Sequence, residues 1–190
     1  MKQGKCIIFS APSGAGKTTI VRHLLNKPEL NLEFSISATT RPPRKVEREG
    51  KDYIYMSVDE FQRLIKEGAF VEWEEVYEDQ FYGTLQREID RIWENGNHVI
   101  FDVDVQGGVN LKRNFGDRAL AIFVEPPSLG VLESRLLDRD TENEESVKRR
   151  MSKAASEMQF ADRFDYILLN DELTEALQRA EEKVKEFLDE

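Results

Sequence analysis

The segment Ser10-Ala11-Pro12-Ser13-Gly14-Ala15-Gly16-Lys17-Thr18-Thr19 follows directly on the apolar run Cys6-Ile7-Ile8-Phe9. A short apolar run, a glycine-bearing loop and a helical pattern read in that order as strand, turn and helix start. In such an arrangement successive backbone N–H groups and a helix N-terminus surround a phosphate chain. Lys17 would reach the β- and γ-phosphates, and the Thr18 hydroxyl would hold Mg²⁺. The usual pattern G-x-x-x-x-G-K-[ST] begins with glycine; here that place is Ala11. The plain alternative is a strand–turn–helix that binds nothing. The strand before, the Gly16-Lys17-Thr18 triplet and the helical pattern after all disfavour it.

Further apolar runs at Phe34–Ser37, Val99–Phe101, Leu120–Val124 and Tyr166–Leu169 join Cys6–Phe9 as candidate buried parallel strands. Helical patterns separate most of them: Thr18–Asn26, Leu85–Glu94 before the Asn95-Gly96 stop, Val109–Phe115, and Leu129–Leu137 behind Pro126-Pro127-Ser128. Thr141-x-x-Glu144 reads as a capping box for a long helix through Met158, and Leu173–Leu188 forms the last. This alternation predicts an α/β three-layer sandwich around a five-stranded parallel sheet. The stretch Thr39–Thr84 breaks it. Arg41-Pro42-Pro43-Arg44 cannot be regular structure, Tyr53–Met56 reads as strand, Ser57 caps a helix through Lys66, and Phe70–Tyr77 reads as strand. Its alternation puts Val71 and Trp73 on one face and Phe70, Glu72 and Glu74 on the other. A small inserted α+β lobe is expected there.

A length of 190 residues suits about one domain with an inserted lobe. The net charge of −10 argues against nonspecific nucleic-acid binding, not against a small anion met by clustered arginines. No run of about 18 apolar residues predicts a membrane span, and strand-like sequence from the start leaves no room for a signal peptide. The lone Cys6 reads as a buried thiol, and His23 and His98 as structural residues. A cytoplasmic protein is expected, as a monomer or homodimer.

Val99-Ile100-Phe101-Asp102-Val103-Asp104 fits a strand that ends in a metal-associated carboxylate, with Asp102 beside Thr18 at the Mg²⁺. The strand period puts Asp104 on the same side, free to recognise something else. Arg41 and Arg44 flank a stiff diproline and suit bidentate capture of a phosphate. Arg135 and Arg139 share a helix face, and Arg150 follows. Solvated arginines paired with Glu133, Asp138 or Glu145 explain these equally well from residues alone.

Taken together, Ser10–Lys17, Ser37-x-Thr39-Thr40-Arg41-x-Pro43-Arg44, Gly50-x-Asp52-Tyr53, Phe70-x-Glu72-Trp73, Tyr82-Gly83-Thr84, Asp102-Val103-Asp104-x-Gln106-Gly107 and Asn170-Asp171 resemble the ordered motifs of guanylate kinases. The resemblance spans about Lys5 to Phe187. It implies a P-loop NTPase-type domain over 4–187, with a core of 4–38 and 85–187, a GMP-binding lobe over about 39–84 and a helical lid over about 135–150. It implies phosphoryl transfer from Mg·ATP to GMP, and also to dGMP, without nucleic acid or membrane partners.

By that resemblance Ala11, Pro12, Ser13, Gly14, Ala15, Gly16, Lys17, Thr18, Thr19 and Asn170 bind ATP. Arg41, Arg44, Tyr53 and Tyr82 take the GMP phosphate. Glu72 and Asp104 face the guanine edge, with Ser37, Gly83 and Thr84 nearby. Lys17, Arg135, Arg139 and Arg150 neutralise the transferring group, and Thr18 and Asp102 hold the metal. Beside Ala11 there are two departures. Asp138-Arg139-Asp140 stands where the family has glycines, which predicts altered lid closure. Tyr77–Phe81 is one residue longer than the usual turn. A guanylate-kinase-like interaction module is disfavoured by the intact loop, and a P-loop kinase for another phosphorylated acceptor by Glu72 and Asp104.

Overall fold

A computed structural model describes residues 4–137 and 144–190, the side chains of 136 and 144–149 excepted. Five parallel strands form the central sheet: β1 (Cys6–Ser10), β2 (Leu32–Phe34), β7 (His98–Val103), β8 (Ala119–Glu125) and β9 (Tyr166–Leu169), in the spatial order β2-β7-β1-β8-β9. Alternate residues of β1 serve opposite faces. Ile7 and Phe9 pack with Ile20, Val21 and Leu24 of α1 (Lys17–Leu25), Leu132 of α5 (Leu129–Leu137), Ala154 of α6 (Glu144–Met158) and Val184 of α7 (Leu173–Asp189). Cys6 and Ile8 pack with Ile89 and Ile92 of α3 (Gln86–Glu94) and with Leu111 and Phe115 of α4 (Val105–Phe115). Two apolar faces, each covered by helices, make the expected three layers. Burial pushes the Cys6 thiol up to about 12, so it is a core residue and not a nucleophile. Among the described residues no helix is long and apolar enough to cross a membrane.

Around the central sheet two elements differ from the sequence reading. The second strand is Leu32–Phe34, not Phe34–Ser37. It is a half-buried edge strand paired only with β7, so it lacks the continuous apolar run of an interior strand. Helix α4 begins at Val105 rather than Val109, because Asp104 is its N-cap and accepts from the Gly107 N–H at 2.8 Å. Gly107 and Gly108 hide that start. They are required by crowding: a Cβ on Gly108 would lie 2.2 Å from Ser10 Oγ.

The segment after β2 builds a second sheet. Its strands are β3 (Ala38–Thr39), β4 (Ile54–Tyr55), β5 (Phe70–Tyr77) and β6 (Gln80–Leu85), in the order β4-β3-β6-β5. Helix α2 (Val58–Lys66), capped by Ser57 Oγ on the Glu60 N–H at 3.2 Å, inserts Phe61 against Phe70 and Phe81, with ring centroids 4.3 and 5.4 Å apart. The pairing of β5 with β6 is irregular between Phe70 and Glu72 and again between Glu75 and Tyr77. The first irregularity overturns the expected alternation. Phe70 and Trp73 both crowd the position where Gly83 would carry a Cβ, while Val71 packs on the central-sheet core and Glu72 turns toward Gly107. The second takes up one residue beside the hairpin tip, so Tyr82 stays opposite Glu74 and Thr84 opposite Glu72.

Candidate active site

The loop after β1 has the conformation its glycines demand. Gly14 and Gly16 have φ of 95° and 93°, a region that L side chains rarely enter. Gly16 caps α1 with no side chain of its own, which leaves the helix N-terminus turned to the loop interior. Ala11 has no positive φ and is buried in the core, so the methyl in place of glycine is accommodated. From below, the buried Asn170 donates its amide to the Ala15 carbonyl at 2.7 Å. Arg135 reaches the Asn170 carbonyl at 3.3 Å, and Arg150 NH1 lies 3.3 Å from Ser13 Oγ.

At the mouth of the loop, three groups converge, two from the first turn of α1 and one from the end of β7. Lys17 Nζ pairs with Asp102 Oδ1 at 2.7 Å and also donates to the Val103 carbonyl. Thr18 Oγ1 donates to Asp102 Oδ2 at 2.8 Å. A hydroxyl and a carboxylate side by side form a hard oxygen donor set, and Mg²⁺ uses one or two protein oxygens together with phosphate and water. The residues present fit that ion.

Across from the loop the cleft, about 510 Å³ in volume, is walled by the second sheet and the start of α4. Ser37, Arg44, Tyr53, Glu72, Tyr82, Gly83 and Asp104 line it together with loop residues Ala11 to Thr19, Asp102 and Arg150. Glu72 Oε2 and Asp104 Oδ1 converge on Gly107, at 3.2 and 3.0 Å from where its Cβ would stand. Buried Thr84 donates to Glu72 Oε1 at 2.8 Å and fixes that carboxylate from behind. Burial, reinforced by the Asp104 charge, pushes the Glu72 carboxyl up to about 7.

Arg41 lies behind this wall. Its Nε donates to the Tyr82 hydroxyl at 3.0 Å, and its NH1 and NH2 form a fork on Glu47 at 2.8 and 2.9 Å. Its guanidinium stands 5.1 Å from the Tyr53 ring centre. Thr84, Asn170 and Arg135 likewise act from behind the surface. Arg139, Asp138, Asp140 and the Thr141 capping box lie outside the described residues.

A family model described as guanylate kinase matches residues 3–190. The chain belongs to that family. It is 49% identical to a guanylate kinase of Bacteroides thetaiotaomicron over 97% of this chain and 90% of the relative. It is 48% identical to one of Porphyromonas gingivalis over 97% of this chain and 98% of the relative. The crystal structure of guanylate kinase from Anaplasma phagocytophilum superposes with a TM-score of 0.77 at 29% identity, covering 96% of this chain and 85% of the other.

Four charged residues of this guanylate kinase family member escaped the sequence reading as parts of the site. Glu74, Lys153 and Glu157 line the cleft, and Glu47 holds Arg41. Lys153 pairs with Glu157 at 3.6 Å, one helical turn along α6. Glu74 faces Asp104. Its buried Oε2 meets no donor among the described residues, so the two carboxyl groups share a hydrogen bond only when one carries a proton. Burial and then the Asp104 charge push the Glu74 carboxyl upward. Glu74 could have been found from its place two residues beyond Glu72 on one strand face. Glu47 had no comparable signal.

Proposed function

We propose that this protein transfers the γ-phosphoryl group of ATP to GMP, giving ADP and GDP. The observation that carries the reading is one cleft in which a complete triphosphate loop stands opposite the paired carboxylates Glu72 and Asp104. Guanine presents N1–H and N2–H₂ donors, and two carboxylates accept them. Adenine has neither and would leave buried acceptors unpaired, a mismatch worth roughly 10⁴-fold in discrimination. Ser37 serves the same edge, and Thr84 holds Glu72 toward it. Arg44, Tyr53 and Tyr82 supply guanidinium and hydroxyl donors for the acceptor phosphate, and Arg41 backs Tyr82 from behind.

An oxygen of that phosphate attacks the γ-phosphorus, and the bond to the ADP oxygen breaks. The second phosphate pKa is about 6, so the nucleophile is already ionised and no general base is needed. Lys17, with Arg135, Arg139 and Arg150 of a lid over about 135–150, neutralises charge on the moving group. The backbone N–H groups from Ser13 to Thr18 cradle the triphosphate, that of Ala15 excepted because it closes the loop on the Pro12 carbonyl, and Asn170 supports them. Thr18 and Asp102 would hold Mg²⁺, which supplies charge neutralisation at the β- and γ-phosphates. Residues about 39–84 act as the acceptor lobe of a domain spanning 4–187.

A coupled ADP-release assay with GMP, dGMP, AMP, UMP and CMP tests this. Turnover is expected with GMP and dGMP, and kcat/KM roughly 10⁴-fold lower with the others. No turnover with GMP would sink the proposal.

A further inference from the structure

We infer that Glu47 is a positioning residue for capture of the acceptor phosphate, acting through Arg41 on the hydroxyl of Tyr82; this rests on the function proposed above. Glu47 gathers four donors. Its Oε2 accepts from Arg41 NH1 at 2.8 Å, the Arg44 N–H at 2.7 Å and the Tyr55 hydroxyl at 2.8 Å, and its Oε1 accepts from Arg41 NH2 at 2.9 Å. The Arg41 and Glu47 side chains are only 12% and 13% exposed. A loop containing two prolines is thereby tied to one carboxylate, and its own turn is closed by the Glu47 N–H on the Arg44 carbonyl at 3.0 Å.

The consequence runs outward to the cleft. Arg41 has five N–H groups. Two meet Glu47, one the Pro42 carbonyl and one, on Nε, the Tyr82 oxygen. Because Tyr82 Oη accepts there, its own O–H is left to donate elsewhere, and Tyr82 is a wall of the cleft. The same guanidinium lies on the Tyr53 ring, which meets Tyr82 edge-on with centroids 6.0 Å apart. Glu47 thus sets Arg41, and Arg41 sets both tyrosines.

A rival role, in which Glu47 is a plug occupying the phosphate's own place, does not match the geometry. Neither Glu47 nor Tyr55 lines the cleft, whereas Arg44 does, and only the Arg44 backbone is bound to Glu47. The carboxylate sits behind the donors, not in front of them.

The test compares steady-state kinetics and melting temperature for wild type, Glu47→Gln, Tyr82→Phe, their double variant and Tyr55→Phe. Glu47→Gln should raise KM for GMP on the order of 10- to 100-fold, the loss carried by charge-assisted hydrogen bonds. KM for ATP should stay within about twofold, marking a loss confined to acceptor binding. The double variant should be no worse than the poorer single one, because both break the same chain. Tyr55→Phe, which removes one donor from Glu47 and leaves Arg41 intact, should give a smaller rise selective for GMP, and this reads the same linkage if Glu47→Gln does not fold. An unchanged or lowered KM for GMP, equal rises for both nucleotides, or additive losses would overturn the inference. A wild-type enzyme inert toward GMP would overturn the proposed function and this inference with it; an active wild type with insensitive variants overturns the inference alone.

Discussion

A Cβ on Gly16 would stand 2.3 Å from Nδ2 of Asn170, a residue 154 positions away that braces the Ala15 carbonyl. The loop backbone and the end of β9 are therefore fitted to each other with no room between. Gly16→Ala faces both that contact and a φ of 93°. It should abolish ATP binding while leaving GMP binding measurable by calorimetry. Asn170→Ala leaves the Ala15 carbonyl without its partner at a cost of about 1–3 kcal/mol, read as a lower melting temperature and a raised KM for ATP.

Glu72 carries a pH signature. Its carboxyl is pushed up to about 7, chiefly by burial, and on the proposed function only its ionised form accepts from the guanine N–H groups. KM for GMP should therefore rise as pH falls below about 7, approaching tenfold per pH unit. GMP itself titrates near pH 6. Glu72→Gln should raise KM at all pH values and remove the break near 7, leaving the substrate's own. A wild-type profile flat from pH 6 to 8 would contradict this.

Glu74 predicts a stability effect. Its folded-state carboxyl is raised, so the folded protein holds a proton that the unfolded chain releases above the ordinary carboxylate range. That contribution opposes folding increasingly as pH rises. Glu74→Gln, which can donate to Asp104, should melt higher than wild type at pH 8 to 9 and equally at pH 4. Denaturation monitored by circular dichroism across that range checks the sign.

The aromatic stack of Phe61 between Phe70 and Phe81 forms the core of the second sheet, apart from the two central-sheet clusters. Phe61→Ala should cost about 3–5 kcal/mol. The damage should fall on acceptor binding, with KM for GMP rising well before KM for ATP. Equal effects on both nucleotides would show that the two sheets unfold as one unit.

These contrasts follow what sequence could and could not reveal. The phosphate loop is contiguous, so spacing alone exposed Lys17 and Thr18, and the apolar strand exposed Asp102. The central strands were legible where both faces are buried, as in Cys6–Phe9, and illegible at the half-exposed edge Leu32–Phe34. Strand β6 was read only as a motif, because Gly83 interrupts it at the point where Phe70 and Trp73 press closest. Asp104 looked like a strand end and is a helix cap, a distinction made by one hydrogen bond to Gly107. Glu47 could not be found at all. Its importance arises from a fold-back that brings Arg41, Arg44 and Tyr55 to one carboxylate, and no periodicity records that.

The irregular pairing between Glu75 and Tyr77 has an evolutionary corollary. A slack residue there insulates the register of Glu72 and Glu74 from the hairpin tip at Glu78 and Asp79. An insertion or deletion at that tip would leave Glu72 opposite Thr84, so on the proposed function tip length could drift while substrate choice is kept.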